Sequence, residues 1–277
     1  MSDTDSVASD QQGVLTVDGV DVVRYVRSGV LAPWADRAVA LVPVDRAVPL
    51  ILGAMPGWQF VPDVDEDPVA GHALAEALLA HGATLSRHAL GYTFALDQES
   101  AGAEISPQWN NPVLPQGSTL DPIRVVTDEL VELCSRAFPD THPDHDPEDQ
   151  RTHDQLAMLI EGDTLGPLLD GTAQVVRDGR PMAALIINRF VGTPPYGGPW
   201  ITDVFRDPDD PDARGLGAAL IRRALARLAA AGESALSLAV TFGNPAAQVY
   251  ESIGFARCWD VRRLKLPGDV AHDDATG

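Results

Sequence analysis

An α/β fold is predicted by three observations in the second half of the chain. First, the apolar runs Ala173–Arg177 and Met182–Phe190 flank Asp178-Gly179-Arg180, which is a hairpin signal. Second, residues 217–231 read GAALIRRALARLAAA. Leu220, Ala224, Leu225 and Leu228 share one helical face, and Arg222, Arg223 and Arg227 lie toward solvent. Third, strand-like Trp200–Arg206 runs through an acidic turn into a Gly-x-Gly and then directly into that helix.

The remaining elements follow from local patterns. Val14–Val26 holds one or two strands, and Ala38–Val44 is apolar enough for another. Ala73–Ala80 is a helix ending at Gly82, with Leu85–Leu96 strand-like after it. Thr127 caps a helix whose first turn carries Asp128 and Glu129. Its stripe of Leu130, Leu133, Cys134 and Ala137 places Cys134 in the core. A second helix covers about 150–161, and VGTPPYGGP reads as a loop. The chain closes with a strand at Ala235–Val240, a short helix at Pro245–Ile253 and a strand or strand pair from Phe255 to Leu266. Residues 1–13 and 268–277 are polar and aperiodic, and disorder is expected there. Residues 100–120, rich in Gly, Pro, Ser and Asn, read as a linker between an N-terminal lobe (14–99) and a second domain (121–267).

Composition narrows the function classes. Among 277 residues, 20 Lys and Arg face 40 Asp and Glu, a net charge of −20. That balance argues against nucleic acid as the main partner and against an anionic membrane. It favours a cationic partner such as an amine, or it is simply a solvated surface. The two cysteines, Cys134 and Cys258, are too few for a disulfide scaffold and lack metal spacing. No apolar run approaches the ~18 residues of a membrane span. The start, MSDTDSVASDQQG, is acidic where a signal peptide is basic and then apolar, so a cytoplasmic protein is expected. His142-x-x-His145, with flanking aspartates, fits neither HExxH nor an EF-hand loop, and no metal is expected. The acidic run Phe138–His153 around it is a solvated loop or a rim that recruits an amine.

Two segments carry the chemistry. In TDVFRDPDDPDARGLGAAL (Thr202–Leu220), a Gly-rich turn feeds a helix N-terminus, offering unpaired N–H groups and the positive end of the dipole. About 30 residues later comes NPAAQVYESIGF, Asn244–Phe255. Asn244, Ala247, Val249, Tyr250, Gly254 and Phe255, with Gly215 and Gly217 upstream, resemble the acetyl-CoA-binding core of the GNAT superfamily of N-acetyltransferases. The resemblance covers 121–267, about half the chain. It implies a mixed, mostly antiparallel sheet flanked by helices, and acyl transfer from acetyl-CoA as cosubstrate. One departure stands out: the basic residue expected three positions before Gly215 is Asp212, and Arg214 comes two residues later. Asp207, Asp209, Asp210 and Asp212 crowd a loop meant for a polyanion, so weak cofactor affinity is expected. Arg206 stands where the family usually has an apolar residue.

On this resemblance, the main chain of Val204, Phe205 and Arg206 holds the pantetheine arm as an added strand would. Arg214, Gly215, Leu216, Gly217 and Ala218 receive the pyrophosphate. Asn244 either bonds the cofactor or caps the helix starting there. Tyr250 protonates the leaving thiolate or is a core tyrosine, and a strand N–H near Val204 steadies the oxyanion. Asp203 is the leading general base or an exposed strand residue, with Glu161 and Asp163 as weaker candidates.

Finally, residues 77–97 can be laid over 249–269 with Gly82 on Gly254. Both read as helix end, Gly and long strand, which suggests a degenerate, cofactor-free GNAT-like half at the N-terminus. The expected protein is an N-acetyltransferase acting by direct attack of a primary amine, of a small molecule, in a ternary complex. The alternatives are an inactive CoA-binding or interaction module and a protein or peptide acetyltransferase. A homodimer through sheet edges is compatible with the fold.

Overall fold

A computed structural model describes residues 11–28, 33–96, 105–144, 153–162 and 165–268. It forms two compact units, one of residues 11–89 with 259–268 and one of Leu90–Cys258. Each is built on a mixed, largely antiparallel sheet flanked by helices.

In the first unit, strands β1 (Gln11–Val17), β2 (Val20–Ser28) and β3 (Trp34–Ala40) form an antiparallel meander. Helix α1 (Val44–Ala54) then crosses to β4 (Gln59–Pro62), parallel to β3. Helix α2 (Pro68–Ala80) follows, capped by Asp67, whose carboxylate accepts from the N–H groups of Val69 and Ala70 at 3.0 Å. Gly82, at φ +97°, turns the chain into β5 (Thr84–Ala95). Ala47, Val48, Ile51, Phe60, Leu74 and Leu78 form the core.

The second unit begins with the rest of β5 from Leu90 and then repeats this order with additions. Strand β6 (Ser118–Asp121) precedes α3 (Asp128–Ala137) and α4 (His153–Glu161). Strands β7 (Ala173–Arg177), β8 (Arg180–Phe190) and β9 (Gly198–Arg206) form the meander, with β6 on β7. Helix α5 (Leu216–Ala230) crosses to β10 (Ala235–Thr241), parallel to β9. Helix α6 (Ala246–Ile253) ends at Gly254, φ +115°, and β11 (Ala256–Lys265) follows.

The two halves therefore share the sequence strand–strand–strand–helix–strand–helix–strand, and Gly82 and Gly254 occupy matching left-handed turns. Their last strands are exchanged. Leu264 and Lys265 of β11 pair with Phe60 and Gln59 of β4 in the first unit. In the second, β5 neighbours β10, with Leu96 N–H donating to the Ser234 carbonyl at 2.8 Å.

Several expectations need correction. Residues 11–13 are not a loose terminus; they pair with Tyr25, Val26 and Arg27 in β1. Ala38–Val44 is not one strand, because β3 stops at Ala40 and Val44 opens α1. The described part of the 100–120 segment is not a free linker. Ile105, Trp109 and Leu114 pack on the second unit's core, Trp109 edge-on to Phe94 at 6.5 Å, and β6 starts at Ser118. The units accordingly meet the chain at 89/90 and 258/259 instead of at that segment. Of the expected C-terminal tail, only Gly268 is described.

Candidate active site

The site forms where β9 and β10 part. Their parallel ladder covers only Trp200 and Ile201 against Ser237 and Leu238. Beyond it, β9 continues on β8 alone, with Asp203 opposite Ile186 and Arg206 opposite Ala183. A bulge between Ile186 and Ile187 shifts the register just before Asp203. The other edge of Asp203, Val204, Phe205 and Arg206 thus has no strand partner among the described residues. An extended ligand can take that place.

Helix α5 begins against this edge. Gly215 is its N-cap at φ +84°, a conformation that L side chains rarely adopt. Ala219 is the first residue to donate an N–H back, to the Gly215 carbonyl at 3.0 Å. The N–H groups of Leu216, Gly217 and Ala218 precede it, where a helix has no internal acceptors. A Cβ on Gly217 would sit 3.4 Å from the Val204 side chain, so the helix start and the open strand edge are neighbours. The Leu216 side chain is core, and its contribution to the site is main chain.

Tyr250 and Asp203 are both buried, at 6% and 5% exposure. Tyr250 packs against Phe255 and Tyr92 at ring distances of 6.0 and 6.3 Å. Its phenol is pushed well above the ordinary value by burial, then by the carboxylates of Asp144 and Asp203. It therefore holds its proton throughout the neutral range. The folded protein keeps this proton where an unfolded chain, with a phenol near ~10, releases it. Tyr250's contribution to stability should be full below about pH 10 and fall as the pH rises past it. Absorbance titration of tyrosinate should show a late step, and Tyr250→Phe should remove one tyrosine's share of it. Tyr92 is also raised, by burial and then by its bond to Glu251, and stays in the late step.

Asn244 stands just ahead of Pro245, the N-cap of α6, and its side chain bonds within the chain. Its Oδ1 accepts the Ala246 N–H at 2.8 Å, and its Nδ2 donates to Asp144 at 2.6 Å. Asp144 also accepts from the Thr241 N–H at 3.3 Å, at the end of β10. Asp144 lies in the acidic run Phe138–His153, where the sequence alone gives it no individual role. Nothing local reveals it, since its partner lies 100 positions away. The loop is anchored further by Phe138, edge-on to Phe205 at 6.1 Å and to His142 at 5.0 Å. Up to Asp144 it is packed, and residues 145–152 lie outside the description. Of the weaker base candidates, Glu161 is exposed at the end of α4, and Asp163 is outside the described residues. Asn188, fully buried, donates to the carbonyls of Leu159 and Gly166 at 2.8 Å and accepts from Thr202 at 2.7 Å. It ties α4 and the following loop to the strand residue beside Asp203, and sequence patterning missed it as well.

The first unit lacks these features. Its β3–β4 ladder extends from Trp34–Gln59 to Ala38–Pro62, and the Asp63 N–H donates to Ala38 at 2.9 Å. Helix α1 is preceded by Pro43 and has Asp45 in its first turn, unfavourable for a phosphate. Among the described residues no group of three metal-ligating side chains occurs, and no helix is long and apolar enough to cross a membrane.

No protein-family model matches this sequence, and no curated protein does. Solved structures do match the fold. A GCN5-related N-acetyltransferase from Sphaerobacter thermophilus aligns over 91% of this chain and 79% of its own, at 17% identity and a TM-score of 0.55. A tandem GNAT protein from the clavulanic acid biosynthesis pathway aligns over 91% and 80%, at 15% identity and a TM-score of 0.53. The fold is that of the GNAT N-acetyltransferases, and the tandem neighbour agrees with two lobes of one topology.

Proposed function

We propose that this protein moves an acetyl group from acetyl-CoA to a primary amine of a small molecule. The opening between β9 and β10, placed against the start of α5, is the observation that carries this reading. The open edge of Val204–Arg206 suits the amide-bearing pantetheine arm. The first-turn N–H groups of α5, the side-chain-free Gly215 and exposed Arg214 suit the pyrophosphate.

Bound there, acetyl-CoA supplies the activated acyl carbon. The chain's own residues do the rest. The open edge aligns the thioester, and a β9 N–H near Val204 faces the oxygen that gains charge. Asp203, desolvated on β9, receives the proton of an attacking amine, directly or through water. Tyr250 keeps a proton available for the departing sulfur.

Calorimetry with acetyl-CoA, followed by a thiol-release screen over small amines, tests the proposal. One acetyl-CoA per chain is expected, since among the described residues the opening belongs to the second unit alone. No binding at high micromolar acetyl-CoA would defeat it, and binding without thiol release from any amine or peptide would favour a non-catalytic CoA binder.

A further inference from the structure

Four carboxylates crowd the turn before α5, and each left facing a pyrophosphate would repel it. Three of them are instead held by arginines from distant elements. Arg177, at the end of β7, donates Nη2 to Asp210 at 2.5 Å and Nη1 to Asp212 at 2.7 Å. Arg136 of α3 donates to Asp207 at 2.8 Å. Asp210 also accepts the Asp212 N–H at 2.9 Å, which orders the 3-10 turn Pro211–Ala213 leading into Arg214 and Gly215. Arg214 is exposed and makes no ion pair among the described residues, so its charge remains available to a ligand.

We infer that Arg177 is a positioning residue for cofactor binding. By committing Asp210 and Asp212 to one guanidinium, it offsets one of their two charges at the start of α5 and fixes the turn that presents Arg214. This inference rests on the proposed acetyl-CoA site and explains how an acidic turn accepts a polyanion. Only a ligand carrying phosphates should sense it.

The test compares wild type, Arg177→Gln, Arg177→Lys and Arg177→Gln with Asp210→Asn and Asp212→Asn. Each is titrated calorimetrically with acetyl-CoA and with S-acetylpantetheine, which lacks the pyrophosphate. Arg177→Gln should bind acetyl-CoA on the order of tenfold more weakly at low salt, with the gap closing as salt rises. S-acetylpantetheine binding should be unchanged, and kcat at saturating acetyl-CoA should stay within about twofold. The triple variant should recover affinity. Arg177→Lys, which keeps the charge but not the fork, should fall between and serves if Arg177→Gln does not fold. Equal loss for both ligands, no loss, or no recovery in the triple variant overturns the inference while wild-type binding stands. Absence of acetyl-CoA binding by the wild type removes the proposed function and this inference together.

Discussion

Tyr250→Phe should lower kcat by on the order of 10²-fold or more while leaving the KM for acetyl-CoA nearly unchanged. The phenol is 6% exposed, and its ring, which the substitution keeps, packs on Phe255 and Tyr92. Only the hydroxyl is lost. Burial and the carboxylates of Asp144 and Asp203 keep that hydroxyl protonated, so on the proposed mechanism the variant removes the proton meant for the departing sulfur. Steady-state kinetics with an accepted amine, over saturating acetyl-CoA, provides the measurement. An unchanged kcat would return Tyr250 to the core and leave the leaving thiolate to water.

Asn188→Leu should cost about 3 kcal/mol of stability, because it strips partners from the carbonyls of Leu159 and Gly166 and from the Thr202 hydroxyl in a fully buried place. That corresponds to a midpoint roughly 6–12 °C lower for a unit of this size. Thr202→Val, which breaks one of the three bonds, should cost only about 1 kcal/mol. Thermal and denaturant unfolding measure both. The surviving folded Asn188→Leu protein should also show a raised KM for the amine, since α4 and the residue next to Asp203 lose their shared tie. Equal costs for the two variants would show that Asn188 does not act as a three-way junction.

What the sequence revealed was local. The block from Asn244 to Phe255 and the Gly215-x-Gly217 turn carry their geometry in consecutive residues, and Gly82 and Gly254 announce their left-handed turns the same way. Helix α1 was hidden because Pro49 interrupts an otherwise helical apolar spacing of Val44, Ala47, Val48 and Ile51. The anchors Ile105, Trp109 and Leu114 follow no period, so packed chain resembled a linker. Partnerships across long separations left no trace: Asp144 with Asn244, Arg177 with Asp210, Asn188 with Thr202. The acidic turn is the clearest case, since its residues predict repulsion until the arginines that hold them are placed.

The exchanged final strands set an order for making the protein. Residues 259–268 complete the sheet of the first unit, so the half translated first cannot close until the second has been synthesised. At ordinary rates of elongation the 169 residues from Leu90 to Cys258 take roughly 10–30 s. During that interval the edge of β4 that later receives β11 is bare, an invitation to wrong pairing. The N-terminal unit is thus the last to finish.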